Sequence, residues 1–558
     1  QERNRKIVYN KLLIQEIFYM PENKKKYFYI TTPIYYASGN IHIGHTYCCT
    51  CADVIARYKR LRGYDVRFMT GSDEHGQKIQ EKAEAAHMEP QAYVDKIAQS
   101  FKDVWKAMDI SYDYYVRTTD DYHVNCVKKV FTELLNKGDI YLGEYKGWYC
   151  TPCETFWSES QCEKDEHGNY LCPSCHRPVH QDSEEAYFLN VKKFVPDLLK
   201  FYEEHPGFCS KDKINEMVNT FIKPGLEDLC ITRTSFTWGV PVDENPKHVV
   251  YVWIDALLNY ISALGYKGKD DSLMQKYWGD DCEIVQLVGR DITRFHTIYW
   301  PILLKALNLR QPDKVIVHGL LLTRSGVKLS KSLGNAISPY PLIERYSVDS
   351  LRYYLVREIQ FQGDGAFTPL QFIDRLNADL ANNYGNLVNR TLSMIKKYFD
   401  GIVPEVDLNH PKSDLTKKLF EDIYTKVNQY EASMDDYDIT NGTAIAMDMV
   451  NLGNKYFDDI APWTQAKNGN IDLLKESLYA ASELIRIGSI LLSPVMPEKT
   501  KSALDQEKVP EELRTYDSIH TLNKLSGLKI EELTPLFPRL KKDDEVKYLT
   551  ELIDGPKA

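Results

Sequence analysis

The sequence has no long apolar segment. Among its 558 residues, no hydrophobic run approaches the ~20 residues that a membrane-spanning helix needs. Charged residues interrupt the first 26 positions, which therefore hold no apolar core of a secretory signal peptide. Both absences point away from integral membrane and secreted proteins, and we expect a cytoplasmic protein with no membrane partner.

Regular cysteine spacing and positive charge are scarce as well. The twelve cysteines are scattered except for two CxxC pairs, which predicts a reducing compartment and a metal site rather than a disulfide framework. The formal net charge is −10, so a nucleic acid would have to be held by a local surface. With 43% hydrophobic content, the chain can bury the cores of several domains.

The start of the chain matches no pattern that we can place. Met20 is followed by Pro-Glu-Asn-Lys-Lys-Lys, which is typical of a protein start, so residues 1–19 are predicted to be an extension. A transit peptide is disfavoured, because Glu2 and Glu16 are acidic.

Residues 27–76 read as a strand–helix–strand unit. An apolar run over 27–32 is predicted to be a strand stopped by Pro33, a helix is predicted to end near Gly63, and a second strand covers 66–69. Such units build parallel sheets, and ligands bind beyond the carboxyl ends of the strands. We therefore expect one crevice to hold four side chains of this unit. They are Tyr36, His42, His45 and Asp73.

The rest of the chain divides into three regions. Residues 77–140 look helical, and after an insertion of different character the strand pattern returns. Strands are predicted at 249–253, 283–288 and 314–318. From about Pro339 to near residue 500 the pattern is helical, with one run over 471–492 that stops before Pro494, and this predicts a helix bundle.

The insertion carries both CxxC pairs. Cys150 with Cys153, and Cys172 with Cys175, aim four thiolates at one point, which suits one structural Zn²⁺. A redox role could explain one pair but hardly two. Cys162 is an outside candidate for a ligand, although a free cysteine is the commoner interpretation. The remaining cysteines, including Cys48, Cys49 and Cys51, are predicted to be small buried residues.

Two short motifs, nearly 300 residues apart, carry a family resemblance. His42-Ile-Gly-His45 and Lys328-Leu-Ser-Lys331-Ser332 resemble the HIGH and KMSKS signatures of class I aminoacyl-tRNA synthetases. Leu329 stands where the second signature has methionine, an apolar exchange that should not affect the lysines. The surrounding segments resemble methionyl-tRNA synthetases in particular, over about residues 27 to 540. These segments are Thr32-Pro-Ile-Tyr-Tyr36, Gly71-Ser-Asp-Glu-His-Gly76, Tyr251-Val-Trp-Ile-Asp-Ala256, Gly289-Arg-Asp-Ile292 with Phe295-His296, Asn386-Leu-Val-Asn-Arg390 and Ala461-Pro-Trp463.

The resemblance implies an α/β Rossmann-type parallel-sheet catalytic domain with a zinc-knuckle insertion, followed by an all-α anticodon-binding bundle. The implied divisions are an extension (1–26), the first catalytic half (27–140), the insertion (141–240), the second catalytic half (241–335), a stem-contact region (336–375), the anticodon-binding bundle (376–520) and a segment that packs back on the body (521–558). The chain stops about where many bacterial relatives continue into a dimerising tRNA-binding barrel, so we expect a monomer.

The implied activity is that of a methionine–tRNA ligase. ATP, with Mg²⁺, activates L-methionine to methionyl-adenylate with release of pyrophosphate, and the methionyl group passes to the acceptor end of initiator and elongator tRNA(Met). One missing methylene gives only ~1–3 kcal/mol of discrimination, so homocysteine is expected to be activated as well and to need correction. The resemblance implies that this correction takes place within the same site, and no insertion is large enough for a separate editing domain.

The resemblance also implies roles for individual residues. Those at the reacting phosphates are His42, His45, Lys328 and Lys331. ATP would also contact Gly44, Gly289, Asp291 and Ser332. The methionine pocket would be formed by Ile34, Tyr36, Asp73, Trp253, Ala256, Tyr260, Ile292, Phe295 and His296, with Asp73 on the substrate ammonium. The CAU anticodon would be read by Asn386, Arg390 and Trp463.

Taken singly, each of these residues has an ordinary interpretation, such as a helix-cap histidine, a core aromatic or a surface lysine. Their order and spacing favour the functional interpretation for the set. Two alternatives stay open: a class I synthetase for another amino acid, such as cysteine or leucine, and a non-catalytic tRNA-binding protein built on an inactive synthetase.

Overall fold

A five-stranded parallel sheet forms the centre of the amino-terminal half of the chain. The computed structural model describes residues 26–153, 155–157, 159–250, 252–323, 326, 329 and 336–555. All neighbouring strands of the sheet pair in parallel. In spatial order they are Lys314–His318, Cys282–Gly289, Tyr27–Tyr36, Asp65–Asp73 and Tyr114–Arg117. The predicted α/β fold with a Rossmann-type parallel sheet is therefore confirmed.

The first strand does not stop at Pro33, as the sequence had suggested. It runs from Tyr27 to Tyr36, and its register against the strand Asp65–Asp73 shifts between Thr31 and Ile34. Its pairing with the strand Cys282–Gly289 ends at Thr31. Pro33 has no backbone N–H to donate to a neighbouring strand. It is tolerated because it lies at this irregularity, beyond the last residue that pairs with strands on both sides.

Two further predictions of secondary structure were wrong in part. The region 77–140 is not wholly helical, because the edge strand Tyr114–Arg117 lies between its second and third helices. The strand predicted at 249–253 covers only Val249–Val250, in a small antiparallel sheet with Thr232–Arg233 and Val240–Pro241. Trp253 lies instead on the helix Val252–Leu257, here called the pocket helix.

Helices cover the sheet and connect its strands. The helix Ile43–Leu61, here called the first helix, links the two strands of the predicted unit. The other α-helices of this half are Gln77–Ala85, Pro90–Ala107, Asp121–Asn136, Val195–Glu204, Lys211–Met217, Val252–Leu257, Asn259–Ser262, Ser272–Tyr277 and Trp300–Ala306, with π-helical turns at Val218–Ile222 and Phe295–Tyr299 and short 3₁₀ turns at Glu159–Gln161, Lys192–Phe194 and Arg290–Ile292.

The insertion is a separate antiparallel layer. Its four-stranded sheet has the spatial order Thr155–Trp157, Ile140–Cys150, His180–Leu189 and Leu229–Cys230, and a two-stranded ribbon pairs Glu163–Lys164 with Tyr170–Leu171.

The carboxy-terminal half is helical, as predicted. A short parallel pair, Leu321–Leu322 with Gly365–Ala366, lies at its junction with the sheet. The α-helices are Tyr340–Tyr346, Val348–Glu358, Pro369–Arg375, Asn386–Phe399, Asp414–Asp435, Ile439–Ile460, Pro462–Lys467, Ile471–Leu492, Pro497–Gln506 and Lys542–Asp554, with a π-helical stretch at Leu376–Gly385 and 3₁₀ turns at Glu511–Leu513 and Asp517–His520. The run predicted over 471–492 is one helix with those limits. In the described part of the chain, no helix is both long and apolar enough to cross a bilayer.

Candidate active site

The first helix begins at the two histidines of the HIGH-like motif. His42 is the N-cap residue, and its Nδ1 accepts a hydrogen bond from the Gly44 backbone N–H at 3.1 Å. His45 Nδ1 in turn accepts from the His42 N–H at 3.2 Å. Because each Nδ1 is an acceptor, the neutral form of each ring carries its proton on Nε2. The helix start therefore combines its own N–H groups with two imidazole N–H donors, an arrangement that favours anions.

An open crevice of about 540 Å³ lies at the carboxyl ends of the central strands. As expected, Tyr36, His42, His45 and Asp73 all line it. Further residues predicted for the site line the same crevice. They are Ile34, Gly44, Trp253, Ala256, Tyr260, Gly289, Asp291, Ile292 and His296.

Phe295 is the one predicted pocket residue of the described chain that does not line the crevice. It lies behind Trp253, with the two rings stacked at a centroid distance of 3.4 Å and an interplanar angle of 7°. Phe295 is buried and Trp253 is partly exposed. Phe295 therefore supports the wall of the crevice from behind.

The deep end of the crevice contains a buried tyrosine–histidine pair. Burial lowers the pKa of His296 to about 4, so the ring is neutral near pH 7. Its Nδ1 donates to the Ile292 carbonyl at 3.0 Å, which leaves Nε2 to accept from the Tyr260 hydroxyl at 2.7 Å. This pair therefore carries no charge, and the ring nitrogens and the hydroxyl already have hydrogen-bond partners.

The structure brings additional residues to the crevice that the sequence analysis did not assign to it. They are Pro33, Tyr35, Ser38, Cys48, Lys78, Pro152, Cys153, Leu257, Asn259, His318, Gly319, Leu320, Leu321 and Leu329. His318 could have been found, because it ends a parallel strand and ligands bind at such ends. Pro152 and Cys153 could not, since no pattern in the sequence indicates that the insertion reaches the crevice.

The four predicted metal-ligating cysteines form one cluster. The Sγ atoms of Cys150, Cys153, Cys172 and Cys175 all lie within 4.8 Å of one another. The Cys150–Cys175 distance is 3.5 Å and the Cys153–Cys172 distance is 3.9 Å. Tetrahedral zinc with bonds of about 2.3 Å would separate its sulfurs by about 3.8 Å, so the cluster has the size for such an ion. Cys162 packs against the cluster but is not one of the four.

The three residues predicted to read the anticodon lie on neighbouring elements of the helical half. Asn386 and Arg390 lie one turn apart on the helix Asn386–Phe399. The guanidinium carbon of Arg390 is 5.5 Å from the Trp463 ring, and Trp463 is 44% exposed. Asn386 Nδ2 donates to Asn454 at 3.2 Å. This face therefore presents an exposed aromatic ring beside a cation.

Lys328, Lys331 and Ser332 of the second signature lie outside the described residues. Leu329, the neighbour of Lys328, is described, and its side chain is buried against the crevice.

Family models match the chain along most of its length. The model "tRNA synthetases class I (M)" matches residues 28–392, and the model "Anticodon binding domain of methionyl tRNA ligase" matches residues 406–555.

Curated relatives include the methionine–tRNA ligases of Halalkalibacterium halodurans and Clostridium tetani. The first is 47% identical over 96% of this chain and 81% of its own length, and the second is 48% identical over 95% and 81%. Among solved structures, Mycobacterium tuberculosis methionyl-tRNA synthetase in complex with methionyl-adenylate is similar at a TM-score of 0.87, with 35% identity over 92% of this chain and 100% of that one. The apo form of that synthetase gives a TM-score of 0.81 at 32% identity, over 94% and 100%.

Proposed function

The chain belongs to the methionyl-tRNA synthetases, and from this premise we propose that the crevice is where it joins L-methionine to ATP before transferring the methionyl group to tRNA. The observation that carries the proposal is the pairing of two unlike surfaces in one crevice. At one end, imidazole and helix N–H donors suit phosphates. At the other, an uncharged wall of aromatic side chains suits a thioether.

Activation attaches the methionine carboxylate to the α-phosphate of ATP and expels pyrophosphate. Negative charge is redistributed over the phosphate oxygens, so the reaction needs fixed donors and cations more than a covalent nucleophile. We assign His42 and His45 to the phosphates through Nε2–H, together with Lys328 and Lys331 of the second signature and the hydroxyl of Ser332. Gly44 and Gly289 lie alongside the nucleotide, and Asp291, which is exposed at the rim of the crevice, accepts from the ribose.

Methionine is recognised at its two ends. Asp73 pairs with the ammonium, and the side chain lies against Ile34, Tyr36, Trp253, Ala256 and Ile292, with Phe295 behind them. The Tyr260–His296 pair closes the deep end. Since His296 Nε2 already accepts from the tyrosine, binding a polar side chain there would require breaking that hydrogen bond, which favours a weakly accepting sulfur.

The helical half binds the CAU anticodon of initiator and elongator tRNA(Met). Trp463 supplies a stacking surface, worth ~1–3 kcal/mol per base. Arg390 and Asn386 reach phosphates and base edges beside it.

Two ions accompany the reaction. Mg²⁺ enters with ATP. One structural Zn²⁺ is held by Cys150, Cys153, Cys172 and Cys175, whose sulfur spacing fits a tetrahedral ion. None of the twelve cysteines, all of which are described, is in a disulfide, and we place the reaction in a reducing compartment such as the cytoplasm.

ATP–pyrophosphate exchange with each of the twenty amino acids tests the proposal. Exchange is expected with methionine, and His45→Ala is expected to reduce it by about 100-fold or more, because one preorganised donor to developing charge typically contributes that much. The matched control is His410→Ala, since His410 is an exposed histidine of the helical half.

Exchange with another amino acid would disprove the pocket assignment while keeping the reaction. Binding of tRNA without exchange of any amino acid would favour a non-catalytic protein.

A further inference from the structure

A buried carboxylate joins the pocket helix to two histidines from other parts of the chain. Asp255 is fully buried, and its Oδ2 accepts a 2.7 Å hydrogen bond from His75 Nδ1. Its Oδ1 accepts a 2.8 Å hydrogen bond from His123 Nε2. The other nitrogen of His123 lies 2.7 Å from the Ser262 hydroxyl. The carboxylate therefore has a ring N–H donor on each oxygen, and both rings are themselves buried.

Asp255 is charged in spite of its burial. Burial raises the pKa of this carboxyl, but the facing His75 and His123 rings outweigh it and hold the pKa at about 2. Hydrogen bonds to an ionised acceptor are about twice as strong as neutral ones. The hydrogen bond between Asp255 and His75 is therefore a strong one, and it links the pocket helix to the segment that follows the strand Asp65–Asp73.

His75 lies in the segment that directly follows Asp73, the last residue of its strand. The two residues that flank Asp73 are also hydrogen-bonded, since the Ser72 hydroxyl donates to the buried Glu74 carboxylate. Arg117 donates to the two oxygens of that carboxylate at 2.8 and 2.9 Å. The backbone carbonyl of Glu74 accepts from Trp238 Nε1 at 2.6 Å. The three motif residues around Asp73 are thus all turned into the protein, and Asp73 itself lines the crevice.

The His75–Asp255 hydrogen bond connects the segment next to Asp73 with the pocket helix, which carries Trp253 and Ala256. His75 is two residues after Asp73, whereas Asp255 lies between Trp253 and Ala256 on the pocket helix. In methionine, the ammonium and the thioether are separated by a chain of limited reach. The partners of both groups must therefore be held at a matching separation, and an error of about 1 Å can cost about 100-fold.

We propose that Asp255 is a positioning residue for the substrate ammonium: through His75 it fixes the Asp73 carboxylate relative to the wall formed by Trp253 and Ala256. The inference rests on the proposed function, in which Asp73 is the partner of the ammonium. It assigns to Asp255, His75 and His123 a part in amino-acid recognition without contact with the substrate.

This role can be tested by measuring the binding of two methionine analogues that lack the carboxylate. L-Methioninol keeps the ammonium and the thioether but lacks the carboxylate, and its deamino counterpart carries hydrogen in place of the ammonium. The wild-type protein should prefer L-methioninol by about tenfold or more, which is the range of one charge-assisted hydrogen bond. Asp255→Asn should weaken L-methioninol binding by about tenfold and leave the deamino probe unchanged, so that the preference is lost.

A conservative pair at His75 keeps the test independent of whether Asp255→Asn folds. The amide N–H of an asparagine can replace the imidazole Nδ1–H that donates to Asp255, whereas alanine cannot. His75→Asn should therefore retain most of the preference, and His75→Ala should lose it. Ser262→Ala is the matched control, because it removes the outermost hydroxyl of the network and leaves both hydrogen bonds to Asp255 in place.

Equal weakening of both probes by Asp255→Asn or by His75→Ala would overturn the proposal, since it would mean that the network only maintains the shape of the pocket. Equal behaviour of His75→Asn and His75→Ala would overturn it too. A wild-type protein that binds L-methioninol no better than the deamino probe, while exchanging with methionine, would refute this inference and the assignment of Asp73 to the ammonium, and it would leave the proposed reaction standing. Absence of methionine-dependent exchange would refute the proposed function itself.

Discussion

At the scale of single residues, hydrogen bonds fix what each ring nitrogen of the crevice histidines can donate or accept. Nδ1 of His42 and of His45 caps the first helix, which leaves Nε2–H as the ring donor. His296 is the reverse case, since Nδ1–H donates to a carbonyl and Nε2 accepts. The cap interpretation and the phosphate interpretation of His42 and His45 are therefore compatible, because capping fixes the tautomer that the proposed phosphate binding requires.

Gly44 is necessary for this arrangement. A Cβ on Gly44 would lie 2.9 Å from Cε1 and 3.0 Å from Nδ1 of the His42 ring. We expect Gly44→Ala to displace the imidazole and to reduce the rate of methionine-dependent pyrophosphate exchange by about 100-fold, the typical effect of losing one preorganised donor. Steady-state exchange at saturating methionine and ATP measures the effect.

The control for Gly44→Ala is Gly207→Ala. A Cβ at Gly207 meets nothing within 4 Å, so this change should leave the exchange rate near that of the wild type. An exchange rate for Gly44→Ala equal to that of the control would show that the His42 ring does not need its present position.

At the scale of elements, the sequence predicts those whose patterns are local and misses those that depend on neighbours. The helix Ile471–Leu492 has its predicted limits because a long apolar run and a following proline define it. The strand Tyr114–Arg117 has four residues and gains its order from pairing with the strand Asp65–Asp73. Likewise, Trp253 follows two strand residues but lies on a helix.

The candidate site shows the same limit. Its motif residues were predictable through family resemblance. Of those that were predicted for the active site and are described, all but Phe295 line the crevice. That Phe295 stands behind Trp253, and that the insertion reaches the crevice at Pro152, are consequences of tertiary packing that no spacing encodes. The Asp255 network is equally hidden, because Asp255 is more than 100 residues away from each of the two histidines that donate to it.

Arg294 connects the insertion to the proposed methionine pocket. Its guanidinium carbon lies 4.8 Å from the Trp157 ring and 4.9 Å from the rings of Phe221 and Phe295. Trp157 is in turn packed with Cys150 and the other cysteines of the cluster. A planar guanidinium can stack on several rings at once, whereas a lysine ammonium cannot.

We therefore expect Arg294→Lys to loosen Phe295 and to raise the KM for methionine by roughly two- to thirtyfold, the range of ~0.5–2 kcal/mol for cation–π contacts. The KM for ATP should not change. Pyrophosphate exchange at varied methionine and varied ATP measures both constants. Arg539→Lys is the matched control, since Arg539 is exposed. An equal rise in both constants would contradict a specific link to the methionine end.

At the scale of the whole molecule, the two halves share one core and buried polar connections. The largest apolar cluster contains residues of the first helix and of the carboxy-terminal helices alike. Arg352, which is fully buried, pairs with Asp53 of the first helix at 2.6 Å. It also donates to the carbonyls of Met108, Pro494 and Val495. Removing one partner of such a pair typically costs 3–5 kcal/mol, so the sheet and the bundle are expected to unfold together.

Glu507 makes the stability of this shared body depend on pH. Both of its carboxylate oxygens are buried without a hydrogen-bond partner among the described residues. Burial, reinforced by the neighbouring Glu483, raises the pKa of Glu507 to about 8, although Ser482 and Arg486 oppose the shift. Between the ordinary glutamate value near 4.5 and pH 8, the unfolded chain has lost this proton and the folded chain keeps it. The free energy of unfolding therefore falls as pH rises through that window.

Replacing Glu507 by glutamine removes the titration and keeps the shape. Relative to the wild type, Glu507→Gln should gain stability with rising pH by up to about 1.4 kcal/mol per pH unit between roughly pH 5 and 8. Chemical unfolding of both proteins at several pH values measures the difference, and a constant cost of burying the amide would shift the curve without changing its slope. Glu512→Gln, at an exposed position, should run parallel to the wild type. If Glu507→Gln also ran parallel, Glu507 would titrate alike in the folded and unfolded chain, and another group would have to account for any loss of stability toward pH 8.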